Sequence, residues 1–96
     1  MKLLKVSKSD KPEKKYVATF QKDDGKIKKT YFGASGMDDY TITKDKEQRK
    51  RYRQRHKKDL STGDPTRAGF LSYYVLWGDS TSVSENVKDY KKKFNL

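Results

Sequence analysis

Ten consecutive residues, Arg49-Lys50-Arg51-Tyr52-Arg53-Gln54-Arg55-His56-Lys57-Lys58, carry seven formal positive charges and no acid. Four of the seven are arginines, whose planar guanidinium forks onto two phosphate or carboxylate oxygens at once. A solvated helix face is the plainer reading of a charge run, but lysine would serve that purpose as well. Like charges four residues apart, Arg49 with Arg53 and Arg51 with Arg55, also destabilise a helix. A partner of opposite charge offsets that cost. The run, extended back to Lys46, therefore points to binding of something acidic. Lys46, Arg49, Lys50, Arg51, Arg53, Arg55, Lys57 and Lys58 are the candidate contacts.

Catalytic constellations are not expected. His56 is the single histidine and there is no cysteine, so neither a thiolate nor a multi-histidine metal site is available. Asp38, Asp39 and Asp45 alone would hold a hard cation weakly. Asp38-Asp39 reads better as turn chemistry or as an internal partner for the arginine-rich segment. His56 reads as a half-buried residue stacked on Tyr52, and no nucleophile sits in a recognisable elbow. Gly33-Ala34-Ser35-Gly36 lacks the Lys-Ser/Thr ending of a phosphate-binding loop and reads as a plain turn. Tyr73, Tyr74 and Trp77 have the faces to stack on bases, yet their helical spacing makes them packing residues first, with one of the two tyrosines left facing outward. No catalytic residue, metal, cofactor or small-molecule substrate is expected.

The positive field has a definite location. Residues 1–30 hold ten Lys/Arg against four Asp/Glu, and residues 44–58 hold nine against two, while residues 59–96 balance at five each. The net charge of +11 thus comes from the N-terminal third and one central segment. Such a field attracts phosphate polymers, anionic surfaces or acidic proteins. Only 31% of the 96 residues are apolar, so the core of what reads as one domain must be thin, but 12% are aromatic and can fill it from few positions. No stretch approaches the roughly 18 apolar residues of a membrane span, and Met1 to Val6 is too short and mixed for a signal peptide. With no cysteine, the expected setting is a reducing cytosol or nucleus.

The elements that must position the basic run can be read in outline. Lys15 to Phe20 and Lys26 to Phe32 alternate as strands, Tyr16, Ala18 and Phe20 sharing one face, and Ile27 and Tyr31 standing opposite Lys28 and Thr30. Asp23-Asp24-Gly25 between them is a hairpin turn, its glycine supplying the positive φ. Residues 1–14 read as an extended basic arm or an edge strand, Leu3 to Ser7 being the strand candidate before Lys11-Pro12. Thr43 is the expected cap of a first helix over 44–59, with Tyr52 and His56 inward and Lys46, Lys50, Arg53 and Lys57 on its outer face. Asp64-Pro65 starts a second over 66–77, apolar nearly all round and closed by Gly78. Ser82 with Glu85 is a capping box for a third over 82–94, where Val83, Val87, Tyr90 and Phe94 form an inward stripe. The expected fold is α+β, a small N-terminal antiparallel β-sheet followed by three helices.

Four motifs in order carry a family resemblance: Phe32-Gly33-Ala34-x-Gly36-x-x-Asp39-Tyr40-Thr41, Asp45-x-x-x-Arg49-x-x-Tyr52-x-x-Arg55-His56, Asp64-Pro65-Thr66-x-Ala68-Gly69 and Leu76-Trp77-Gly78. Together they resemble small basic proteins of unknown function encoded by large DNA viruses of algae and protists. The chain departs from that pattern at Leu60-Ser61, where an acidic residue and a tryptophan are common. The resemblance carries over no catalytic residue. It implies a viral protein associated with the virion, present in host cytoplasm or nucleus during infection. The expected partner is nucleic acid, DNA bound without sequence preference, through the eight basic residues above. The alternative it opens is a minor capsid protein that cements acidic capsid surfaces, with exposed apolar contacts and Lys2 to Lys15 as an extended arm.

Overall fold

The computed structural model describes residues 1–96. Three strands, β1 (Lys2–Lys8), β2 (Lys14–Gln21) and β3 (Ile27–Ala34), form an antiparallel sheet in the order β1-β2-β3. Residues 1–14 are thus no free arm: β1 pairs with β2 from Lys2 opposite Gln21 to Lys8 opposite Tyr16. A register shift between Leu3 and Lys5 puts Leu4 in solvent, while Leu3 stays in the core. That bulge, with Lys2, Lys5 and Lys8 along the strand, blunts an otherwise open edge. The β2–β3 turn falls where Asp24-Gly25 predicts it. Gly25 has φ +86°, and Asp24 Oδ1 accepts from Lys26 N at 3.0 Å.

Both strands of the hairpin have the expected period, and the face of β3 that meets the helices is the mixed one. Phe32 is fully buried, Thr30 donates to Thr66 O at 2.7 Å, and Lys28 Nζ donates to Thr66 Oγ1 at 2.9 Å. Ile27, 53% exposed, and Tyr31 lie on the far side of the sheet. The core joins Leu3, Ala18, Phe20 and Phe32 of the sheet to Phe70, Leu71, Val75, Leu76, Trp77 and Tyr90 of the helices.

Four helices follow the sheet, not three. The extra one, α1 (Tyr40–Thr43), is capped by Asp39, and Lys44 ends it in the left-handed region at φ 59°. That break moves the start of α2 (Lys46–His56): its cap is Asp45, accepting from Glu47 N and Gln48 N, and Thr43 lies outside it. α2 stops at His56 and tightens into a 3-10 tail, Lys57–Thr62. Asp64-Pro65 does not start the next helix. Asp64 Oδ1 accepts from Thr66 N and Thr66 Oγ1, closing a local turn that delays α3 (Ala68–Leu71) by three residues beyond the expected 66. These two hydrogen bonds hold the Asp64 carboxyl below its ordinary pKa.

α3 runs on without a break into a π turn, Ser72–Leu76, ended by Trp77 N donating to Ser72 O. Its wider turn brings Val75, Leu76 and Trp77 all into the core. α4 (Val83–Lys93) matches its sequence signals: Ser82 accepts from Glu85 N, and Tyr90 is buried with Val83, Val87 and Phe94 packed against the core. The stripe also contains a residue the apolar pattern passes over. Asn86 is 2% exposed, donates to Val75 O at 2.9 Å and Ser80 O at 2.7 Å, and accepts from Ser80 N at 3.0 Å. It ties the end of the π turn to α4. Gly78 is required between them, since a Cβ there would lie 2.1 Å from Tyr74 O.

Trp77, 5% exposed, is the largest side chain at this junction. Trp77→Ala is expected to cost about 3–5 kcal/mol, as large-to-small core changes do, whereas Ile27→Ala on the open face of the sheet should stay within about 0.5 kcal/mol. Chemical denaturation of both variants measures this; an unchanged midpoint for Trp77→Ala would remove it from the core.

Candidate basic surface on the second helix

α2 buries none of its eleven residues. A helix so polar and so charged cannot be held by its own propensity, so its attachments decide which cations remain free. The main one is aromatic. Tyr52 lies flat on Trp77, ring centroids 4.3 Å apart at 8°, and His56 stacks on the opposite side of Tyr52 at 4.1 Å and 24°. His56 Nδ1 lies 3.0 Å from Asp59 Oδ2 in the 3-10 tail, so the last turn of α2 and its tail are joined through the same stack. Burial, reinforced by the Asp59 carboxylate, pushes the Tyr52 phenol up to about 12.

The second attachment uses two of the eight predicted contacts. Arg49 Nε donates to Gly78 O at 2.6 Å, its Nη2 pairs with Asp79, and its guanidinium lies 5.5 Å from the Tyr40 ring. Arg53 lies 3.5 Å from Asp79 Oδ1 and covers the Tyr73 ring at 4.8 Å. Both arginines are half-buried. Arg53 is therefore not on a free outer face, and Arg49 is a strut between α2 and the loop after the π turn. Asp38-Asp39 is not the internal partner of these arginines. Asp39 is buried against Lys15, whose Nζ is 2.7 Å from Oδ2, and Asp38 is exposed. The carboxylate that serves α2 is Asp79, to which no sequence signal pointed.

The six remaining candidates, Lys46, Lys50, Arg51, Arg55, Lys57 and Lys58, are all exposed, and none pairs with a carboxylate. At about 100° per residue they spread over the half of the helix opposite Tyr52 and His56. Lys46, Lys50 and Lys57 border a shallow groove of about 470 Å3 that Arg53 and Tyr73 complete. Tyr73 is the tyrosine that faces this groove, while Tyr74 packs on Tyr90 and Phe94. No three of His, Cys, Asp and Glu gather as a metal site, and no helix is long and apolar enough to cross a membrane.

The two classes of cation on α2 separate by measurement. Arg49→Gln removes a partly buried strut and should lower stability by about 1–3 kcal/mol, while Lys50→Gln, one residue on, should leave the thermal midpoint within error. Equal midpoints would mean that the Gly78 contact does not anchor α2. The raised Tyr52 phenol gives a second readout. Below about pH 10 the phenol is neutral in the folded and unfolded chains alike and its stabilisation is fully present. Above that the unfolded chain ionises first, so stability is lost as pH rises through about 12, and Tyr52→Phe should decline less steeply across this window. Parallel alkaline curves for the two proteins would contradict this.

A family model matches residues 4–56, from β1 to the last residue of α2, and its description is a family of unknown function. The match covers the sheet, α1 and the whole basic helix, and ends where the 3-10 tail begins. No curated protein and no solved structure matches the chain. With more than half of its length matched, the chain belongs to the family of unknown function DUF5754.

Proposed function

We propose that the chain binds nucleic acid through the phosphate backbone, using the exposed cations of α2 and its tail. The observation that carries this reading is the set of six unpaired, solvent-facing cations on one half of α2 and its 3-10 tail, four lysines and two arginines. An eleven-residue helix is about 16 Å long, and one strand of a duplex places about five phosphates over that distance at roughly 3.4 Å each along the axis. The number of cations matches the number of phosphates. Contacts of this kind fix position without reading sequence, so binding is expected to be non-specific. A virion holding a packed genome is a setting that such a protein would suit.

The cement reading needs an extended arm, and Lys2–Lys8 is committed to the sheet as β1. That favours the nucleic-acid reading, and acidic protein becomes an outcome of its test. Log affinity for duplex DNA should fall against log salt with a slope of about −4 to −5, at roughly −0.9 per phosphate contact. Changing Lys46, Lys50, Arg51 and Lys57 together to Gln should flatten that slope by about three to four units with the thermal midpoint unchanged, since all four are exposed. DNA binding no better than that of a simple polycation, together with salt-resistant capture by an acidic capsid protein, would reject nucleic acid as the partner.

A further inference from the structure

A cleft of about 490 Å3 opens beside α2, between the β3–α1 loop and the π turn, and it shares Arg55 with the basic surface. Its size lies within the roughly 300–1,000 Å3 of small-ligand sites. Leu76 and Trp77 contribute buried apolar surface, Tyr52 and His56 contribute their stack, and Met37, 64% exposed, stands at the mouth. The cleft is made by irregular backbone, as ligand sites often are. The π turn brings Ser72, Leu76 and Trp77 to it, and Gly33, at φ +78°, lets Leu76 approach where a Cβ would lie 2.8 Å from Leu76 Cδ1.

Its charges are sorted. The Asp39 carboxylate accepts from Thr41 N, Thr41 Oγ1 and Lys15, so one acid and one lysine at the cleft are spent on each other. Arg55 has no such partner, and its guanidinium is suited to grip a phosphate with two parallel hydrogen bonds. Gln48 adds an amide able to meet the donor and acceptor edge of a base. A flat apolar surface next to one fork-shaped cation is complementary to a planar ring carrying a phosphate.

We propose that this cleft takes one unpaired nucleotide, its base against Met37, His56 and Trp77 and its phosphate on Arg55. A base inside a duplex is covered by its neighbours and cannot enter, so the protein discriminates single strands and unpaired ends from duplex. This rests on the α2 phosphate reading for nucleic-acid strands; a free nucleoside monophosphate offers the same chemistry without it.

Trp77 is the single tryptophan of the chain and reports on the cleft directly. Its emission is titrated with thymidine 5′-monophosphate, with an oligothymidylate of about ten residues, and with a duplex of the same length. Saturable quenching by the monophosphate and, at lower concentration, by the single strand is expected, with duplex binding leaving the emission unchanged. Met37→Glu places a carboxylate at the mouth of the cleft, and Ile42→Glu adds the same charge at another exposed position outside it. Met37→Glu should weaken single-strand binding about tenfold while duplex affinity stays with that of Ile42→Glu. No quenching by either single-stranded ligand, or equal losses in the two variants, overturns the cleft. Quenching by the monophosphate with no affinity for duplex or oligonucleotide would keep the cleft as a free-nucleotide site and reject the α2 reading instead.

Discussion

The placement of α2 depends on one aromatic contact, the parallel stack of Tyr52 on Trp77. No residue of that helix is buried, so almost nothing else of apolar character draws it to the domain. Arg49 reinforces the stack by binding the carbonyl of Gly78, the very next residue after Trp77. Both anchors therefore fall on one short stretch of backbone, and that stretch is fixed from the other side by Asn86, which occupies the carbonyls of Val75 and Ser80. A buried amide in α4 thus sets the seat on which the basic helix rests.

The same arrangement sorts eight like charges that would otherwise repel one another. Asp79, although exposed, lies beside both Arg49 and Arg53 and draws them to the domain side of the helix. Asp45 caps the positive end of the helix, with Glu47 in the first turn. What remains outward is uncompensated within the chain. Protein that keeps six free cations on one surface carries a repulsion that only a polyanion relieves, and this makes the surface a site and not merely a solvated face.

The sequence is most legible where one local rule acts alone. The Asp24-Gly25 turn and the Ser82/Glu85 box each have a single reading, and β2, β3 and α4 lie where those signals put them. It is least legible where two rules compete. Thr43 and Asp45 are both good caps, and only the left-handed Lys44 between them decides for Asp45. Asp64-Pro65-Thr66 fits a helix start and a closed turn equally well, and Asp64 uses its one carboxylate on Thr66. The candidate surface was readable as a segment but not as a face, because a run of nearly unbroken cations has no period. Taking the direction opposite Tyr52 and His56 would have placed Lys50, Arg51 and Lys58 outward and Arg53 at the edge. The cleft could not be read at all, since its walls come from the β3–α1 loop, α2 and the π turn.

A π turn is equivalent to one extra residue inserted into a helix without extending it by a full step of the regular spiral. Between Ser72 and Leu76 the chain is therefore longer than the space it spans. Shortening it there by a single residue would restore an ordinary α-helix while turning everything downstream by about 100°. Trp77 would then swing away from Tyr52, and the amides and carbonyls that meet Asn86 would be displaced with it. Substitutions in this segment change side chains one at a time, whereas a deletion would act as a rotation, redirecting the basic helix without altering a single one of its own residues. Among relatives of this chain, the spacing from Phe70 to Gly78 is accordingly a more telling marker of shared architecture than the identity of any residue within it.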